Sequence, residues 1–128
     1  MSSAISGLRP VIDTSTVLLI LGSMPGEESL RKQQYYARAT NDFWKIIGKC
    51  IGRMLASMPY EEKISTLLSH NIGLWDVYQY CSRDGSSDAS IAGTSLNDFK
   101  LLRTEYPAVA KLLFNGKEAG QHADLDGE

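Results

Sequence analysis

The chemistry this chain can offer gathers where apolar runs end. Val17-Leu18-Leu19-Ile20-Leu21 turns sharply through Gly22-Ser23-Met24-Pro25-Gly26. Two glycines let backbone approach a ligand, and Pro25 fixes one φ angle. Backbone N–H groups exposed after such a run can hold a phosphate, a carbonyl or a developing anion. The spacing fits neither the phosphate loop ending in Gly-Lys-Ser/Thr nor the dinucleotide fingerprint. A tight structural turn uses the same residues, so the loop by itself does not define a site.

Two asparagines carry the next signal. Asn41 precedes Asp42-Phe43-Trp44, and Asn115 precedes Gly116. Asn41 suits a helix cap as well as a water-orienting or base-binding amide. An amide takes up no proton near neutral pH, so catalysis through it must rest on positioning and on a good leaving group. Asn115 suits a turn before glycine. Tyr35, Tyr36, Phe43, Trp44 and Trp75 offer faces on which a nucleobase can stack, although at least half of such aromatics belong to a core. Asp76 is an acid inside the apolar stretch Leu74-Trp75-Asp76-Val77, where a charge is usually paired or functional. His70 and His122 have no second ligand nearby in sequence, so no metal site and no cofactor are expected.

These residues need a scaffold. The unalternating run at residues 17–21 suits a strand covered on both faces, as in a parallel sheet, whose ligands lie past the carboxyl ends of the strands. A short helix is expected within residues 27–34. A second, capped by Thr40 or Asn41, carries Phe43, Ile46, Ile47, Ile51, Met54 and Leu55 on one face and Lys45, Lys49 and Arg53 on another. That basic stripe reads first as a solvated surface. A third helix covers residues 60–69 after Met58-Pro59, and His70-Asn71 end it. Residues 72–78 form a second strand with Gly73 inside, residues 81–94 a loop, and Asn97 caps a helix ending before Pro107. A third strand spans residues 109–114. The order predicts an α/β fold with a mostly parallel sheet between helices.

The 128 residues suggest one domain, with residues 1–16 as lead-in and residues 120–128 as a frayed tail. A net charge of −2 gives no overall basic signal, though a local patch can still bind nucleic acid. Two cysteines, Cys50 and Cys81, make no disulfide framework or zinc cluster, so a reducing cytoplasm is the default. No apolar run approaches the ~20 residues that cross a bilayer, so no membrane partner is expected.

Taken together the motifs resemble a known family. Leu19 through Leu30, then Gln33-Gln34-Tyr35-Tyr36-Ala37, then Asn41-Asp42-Phe43-Trp44, resemble the opening of the hypoxanthine-DNA glycosylase branch of the uracil-DNA glycosylase superfamily. Gly73-Leu74-Trp75-Asp76-Val77 and Phe114-Asn115-Gly116-Lys117 with Ala119 resemble its middle motifs, in order and at similar spacing. The resemblance implies a three-layer α/β/α fold and a monofunctional glycosylase of base excision repair. Such an enzyme flips a damaged base out of double-stranded DNA and hydrolyses its N-glycosidic bond. The substrates implied are hypoxanthine, with xanthine and uracil as further bases. Asn41 and Asn115 take the catalytic positions. Gly22, Ser23, Met24, Pro25, Gly26 and Tyr36 line the base pocket, with Phe43 beside it and Trp75 and Asp76 on its floor. The branch lacks a catalytic aspartate in its first motif, and here Ser23 and Met24 stand there.

The resemblance also implies a further C-terminal strand and a Ser/Pro-rich loop that wedges into DNA. Neither follows residue 119, so the fold is expected to be shortened at its C-terminus, and a homodimer through the exposed sheet edge is expected. A non-catalytic nucleic-acid or nucleotide-binding module of the same fold, without the wedge, is the alternative. An α/β enzyme holding a phosphorylated substrate at residues 22–26 is a third reading.

Overall fold

The computed structural model describes residues 5–38, 41–82 and 92–116. Its centre is a three-stranded parallel sheet in the order β3-β2-β6, with β2 at Leu18–Gly22, β3 at Ile72–Asp76 and β6 at Lys111–Phe114. Helices α1 (Glu27–Lys32), α2 (Phe43–Ile51) and α3 (Tyr60–Ser69) lie between β2 and β3, and α4 (Lys100–Glu105) precedes β6.

The central strand is apolar throughout because helices cover both of its faces. Leu19 and Leu21 pack with Trp75, Val77 and Leu102 of α4, whereas Ile20 and Leu74 pack with Phe43, Trp44, Leu55 and Leu67 on the α2–α3 side. Alternate side chains of a strand leave opposite faces, so one five-residue run anchors two cores. Leu19, Ile20 and Leu21 are almost wholly buried, each worth roughly 1.5–3 kcal/mol against exposure. The three-layer α/β/α arrangement expected from the sequence is present.

Helix α2 starts where Asn41 Oδ1 accepts the Phe43 N–H at 2.8 Å. It stops at Gly52, whose φ of 71° suits glycine. Helix α3 follows Pro59 and ends at His70, before Asn71 in the left-handed region turns the chain into β3. Gly73 within β3 admits the lead-in. A Cβ there would lie 2.5 Å from the Val11 carbonyl oxygen, and Val11 and Leu74 exchange both backbone hydrogen bonds at 2.8 Å.

Several elements differ from expectation. The second strand does not continue to residue 78. It ends at Asp76, and β4 (Tyr78–Ser82) begins a separate antiparallel sheet, β1-β4-β5, with β1 at Ile5–Ser6 and β5 at Ala92–Leu96. The lead-in therefore supplies a strand, and residues 81–82 and 92–94 of the expected loop lie in β4 and β5, the residues between them lying outside the described ones. Asn97 does not cap α4. Its amide donates to the carbonyl oxygens of Asp76 at 2.8 Å and Tyr78 at 3.3 Å, and tethers the point where the chain leaves one sheet for the other. The expected tail at residues 120–128 lies outside the described residues, as do Thr40, Lys117, Ala119 and His122.

Candidate active site

Strand β2 has β3 on one side and β6 on the other, so connections leave it in opposite directions and open a crevice at its carboxyl end. The 22–26 loop forms one wall of this crevice. Gly22 O accepts the Val77 N–H at 2.8 Å, Ser23 O that of Tyr78 at 3.1 Å, and Leu21 O that of Asn115 at 2.7 Å. The sheet's hydrogen bonding thus continues past the strand ends and fixes the loop against Asn115. Pro25 and Ser29 are buried beneath the loop.

The segment after α1 forms the opposite wall, and several tethers hold it. Gln33 closes α1 with φ 55°. Ser29 Oγ accepts the Ala37 N–H at 3.0 Å, and Tyr60 Oη accepts that of Tyr35 at 3.1 Å. Tyr35 Oη donates to the Arg9 carbonyl at 2.9 Å. Between these ties Tyr36 adopts φ 53°, a costly conformation for an aromatic residue. Its carbonyl accepts Trp44 Nε1–H at 3.2 Å, and its ring stacks on Phe43 at 3.7 Å between centroids and 13° between planes. The strain holds one side chain over the mouth of the loop.

The cavity between these walls is about 240 Å³. That lies below the roughly 300–1,000 Å³ of pockets for drug-sized ligands and suits a single heterocycle. All five loop residues, Gly22 to Gly26, line it, together with Tyr36, Asn41, Asp76 and Asn115. Asn115 Nδ2 donates to Tyr36 Oη at 3.2 Å. Asp76 is buried at the end of β3, with Oδ1 over Gly22, where a Cβ would lie only 2.7 Å away. The N-cap of α2 is Asp42 and not the expected Thr40 or Asn41; Asn41, one residue before it, accepts the Phe43 N–H through Oδ1, which leaves its second lone pair and its NH2 group for a ligand.

Two expected pocket residues sit elsewhere. Trp75 faces the α4 side, 5.2 Å from the Phe99 ring, because adjacent strand residues point to opposite faces and Asp76 takes the pocket side. Phe43 lies behind Tyr36 as its stacking partner and does not line the cavity. Three lining residues were not anticipated, Glu28, Ser29 and Arg38, while Tyr35, named only among the aromatics able to stack on a base, lines it too. Their proximity to the loop and to Asn41 in sequence was the only available sign.

Burial pushes the Tyr36 phenol up to about 12, with the Asn115 hydrogen bond opposing and the Asp76 charge adding to the rise. Burial raises the Tyr35 phenol as well, with a further contribution from Asp76. Both remain neutral donors near pH 7. Hydrogen bonds from Arg31 and then Lys32 hold the Glu28 carboxyl below its ordinary range, so it stays ionised. No lysine lines the cavity among the described residues, and none of them form a metal-binding cluster of His, Cys, Asp or Glu.

The fold is a parallel α/β/α sheet with a small, amide-lined pocket past the carboxyl end of its central strand. Comparison with known proteins makes the assignment specific. The sequence model described as the Uracil DNA glycosylase superfamily matches residues 10–127, and the chain belongs to that superfamily. It is 46% identical over 119 residues to a hypoxanthine DNA glycosylase of Methanosarcina acetivorans, covering 93% of this chain and 75% of the relative. It is 43% identical, with the same coverage, to a hypoxanthine DNA glycosylase of Methanosarcina barkeri. A solution NMR structure from Methanosarcina acetivorans, provisionally assigned as a uracil DNA glycosylase, superposes with a TM-score of 0.88 at 45% identity, covering 96% of this chain and 76% of that one.

Proposed function

We propose that this chain is a monofunctional DNA glycosylase that hydrolyses the N-glycosidic bond of deaminated bases in double-stranded DNA, hypoxanthine foremost. The convergence of Asn41, Tyr36 and Asn115 with the 22–26 loop around one base-sized cavity carries the reading. Two relatives above 40% identity bear the hypoxanthine name.

A base inside the duplex cannot reach such a pocket, so the nucleotide must leave the stack. In the pocket the purine lies against the Tyr36 ring, whose far face is already stacked on Phe43. As the glycosidic bond lengthens, the sugar gains positive charge and the base negative charge. The Asn115 amide and the loop backbone are the donors suited to that charge. Asn41 holds the water. Its hydroxide portion joins C1′, the C1′–N9 bond breaks toward the base, and the water's proton passes to the departing purine. Hypoxanthine, with its acceptor carbonyl, needs only hydrogen-bond donors to leave as an anion, which explains how a site without an aspartate in the first motif suffices. A bifunctional enzyme would need an amine for a Schiff base, and no lysine borders the cavity among the described residues.

The same reading places the enzyme in the cytoplasm, where the exposed thiol of Cys50 stays reduced, and allows a homodimer along β6, which pairs only with β2 among the described strands. No helix among the described residues is long and apolar enough to cross a membrane. The non-catalytic alternative is not favoured by the named relatives. The deciding experiment incubates the protein with a duplex bearing one deoxyinosine, then cleaves abasic sites with alkali. Strand breaks that disappear with Asn41→Ala support the reading; a folded protein that yields none overturns it.

A further inference from the structure

A second cleft, of about 280 Å³, adjoins the base-sized cavity and shares Tyr35, Tyr36, Arg38 and Asn41 with it. Beyond that shared wall the cleft receives Lys45 from the first turn of α2 and Lys63 from α3, and no carboxylate lines it. Among the described residues Arg38, Lys45 and Lys63 form no ion pair, since the pairs present join Arg31 and Lys32 to Glu28.

Three like charges from separate elements face one small space. Lys45 sits in the first turn of α2, which carries no acidic residue beyond the N-cap Asp42. Lys63 is held in place by the Trp44 ring, with Nζ 5.2 Å from the ring centroid. Partial burial lowers the Lys63 pKa, which a nearby anion would oppose.

We propose that this cleft seats a backbone phosphate of the damaged DNA strand beside the extruded nucleotide, through Arg38, Lys45 and Lys63. Asn41 stands on the wall between the two spaces, so the base enters one and its phosphodiester the other, with the sugar held at Asn41. The three cations are positioning residues, and the identity of the polymer rests on the glycosylase reading. Within the basic stripe of α2, Lys45 lines both the cleft and an adjoining apolar groove, whereas Lys49 and Arg53 line only that groove, with Met54.

The test is equilibrium binding to a fluorescent duplex carrying a stable abasic analogue, followed by anisotropy across a potassium chloride series. Lys45→Gln, Lys63→Gln and Arg38→Gln are each expected to weaken binding several-fold and to lower the slope of log K against log salt by about 0.9. Lys63→Arg keeps the slope, and Lys100→Gln, on α4, leaves it unchanged. A second series replaces each phosphate flanking the lesion, one at a time, with a neutral methylphosphonate. The Lys63→Gln penalty should vanish on one of these duplexes and persist on the rest. Unaltered slopes, or a penalty equal on every duplex, overturn the seat. Hypoxanthine release by the unmodified protein, measured in parallel, separates the two readings. Release with unaltered slopes overturns the seat alone; a located phosphate without release overturns the glycosylase reading alone.

Discussion

Asn115 Nδ2 lies 3.2 Å from Tyr36 Oη, a contact between residues 79 positions apart that bridges the end of β6 and the segment before α2. It closes the cavity opposite the 22–26 loop. Both groups line the cavity and can donate hydrogen bonds into it. The phenol stays neutral at working pH, and the amide retains a second N–H beyond the one given to Tyr36.

That contact separates two contributions. Asn115→Ala removes a donor to the departing base and is expected to slow single-turnover release of hypoxanthine by roughly 10²–10³-fold. Tyr36→Phe keeps the ring stacked on Phe43 and loses only the hydroxyl, so its rate should fall far less. Equal losses in the two variants would show that Asn115 acts chiefly by holding Tyr36.

Asn41 serves both the helix and the proposed chemistry, and the two are separable. Asn41→Ala removes the acceptor for the Phe43 N–H and should cost about 1 kcal/mol in urea unfolding, together with base release. Asn41→Ser restores a capping oxygen and hence stability, but supplies no amide, so release should stay lost. Activity returning with the cap would reduce Asn41 to a structural residue.

How far the sequence reached follows from the same geometry. The run at residues 17–21 was legible as a two-faced strand because both faces are covered and every side chain is apolar. Helix α3 was legible because it buries one periodic face. Of the face expected for α2, Phe43 turns inward, but Ile46 and Met54 are exposed, and Met54 and Leu55 follow the helix end at Ile51. The second sheet was not, because its strands at residues 78–82 and 92–96 are short, mixed in polarity and paired partly with residues 5 and 6. Asn97 bore the mark of a cap, yet the amide that would cap a helix serves equally to tie two carbonyls. Trp75 could have been kept from the pocket by strand parity alone, since its neighbour Asp76 was placed there too. Glu28, Ser29 and Arg38 lie close in sequence to the 22–26 loop and to Asn41, but that they line the cavity depends on how the segment between them folds, which no local pattern encodes.

Alkaline titration should expose the buried phenols. Tyr36 ionises at about 12 in the folded chain and near 10.0 ordinarily. Below pH 10 folded and unfolded chains both hold the proton, and stability does not change on its account. Between these values the unfolded chain loses a proton the folded one keeps, so stability falls as pH rises, by at most about 1.4 kcal/mol per pH unit. Tyr36→Phe should flatten the fall measured by urea unfolding from pH 9 to 11.5. A residual slope remains, because Tyr35 and Tyr60 are raised as well. A slope identical to that of the unmodified protein would contradict the burial of Tyr36.

Gly22 and Asp76 pair across β2 and β3, and the carboxylate occupies the space a Cβ on Gly22 would need. The backbone there cannot yield easily, because Gly22 O accepts the Val77 N–H at 2.8 Å. Gly22→Ala is therefore expected to cost roughly 1–3 kcal/mol. Asp76→Ala removes the opposing oxygen, so the double variant should be more stable than the sum of the single effects predicts, a positive coupling between touching residues. Base release should not recover with stability, because the added methyl group and the lost carboxylate both alter the cavity lining. Additive stabilities would mean that Asp76 moves aside freely. In that case the close approach of backbone and acid would not be what requires glycine at the end of the central strand.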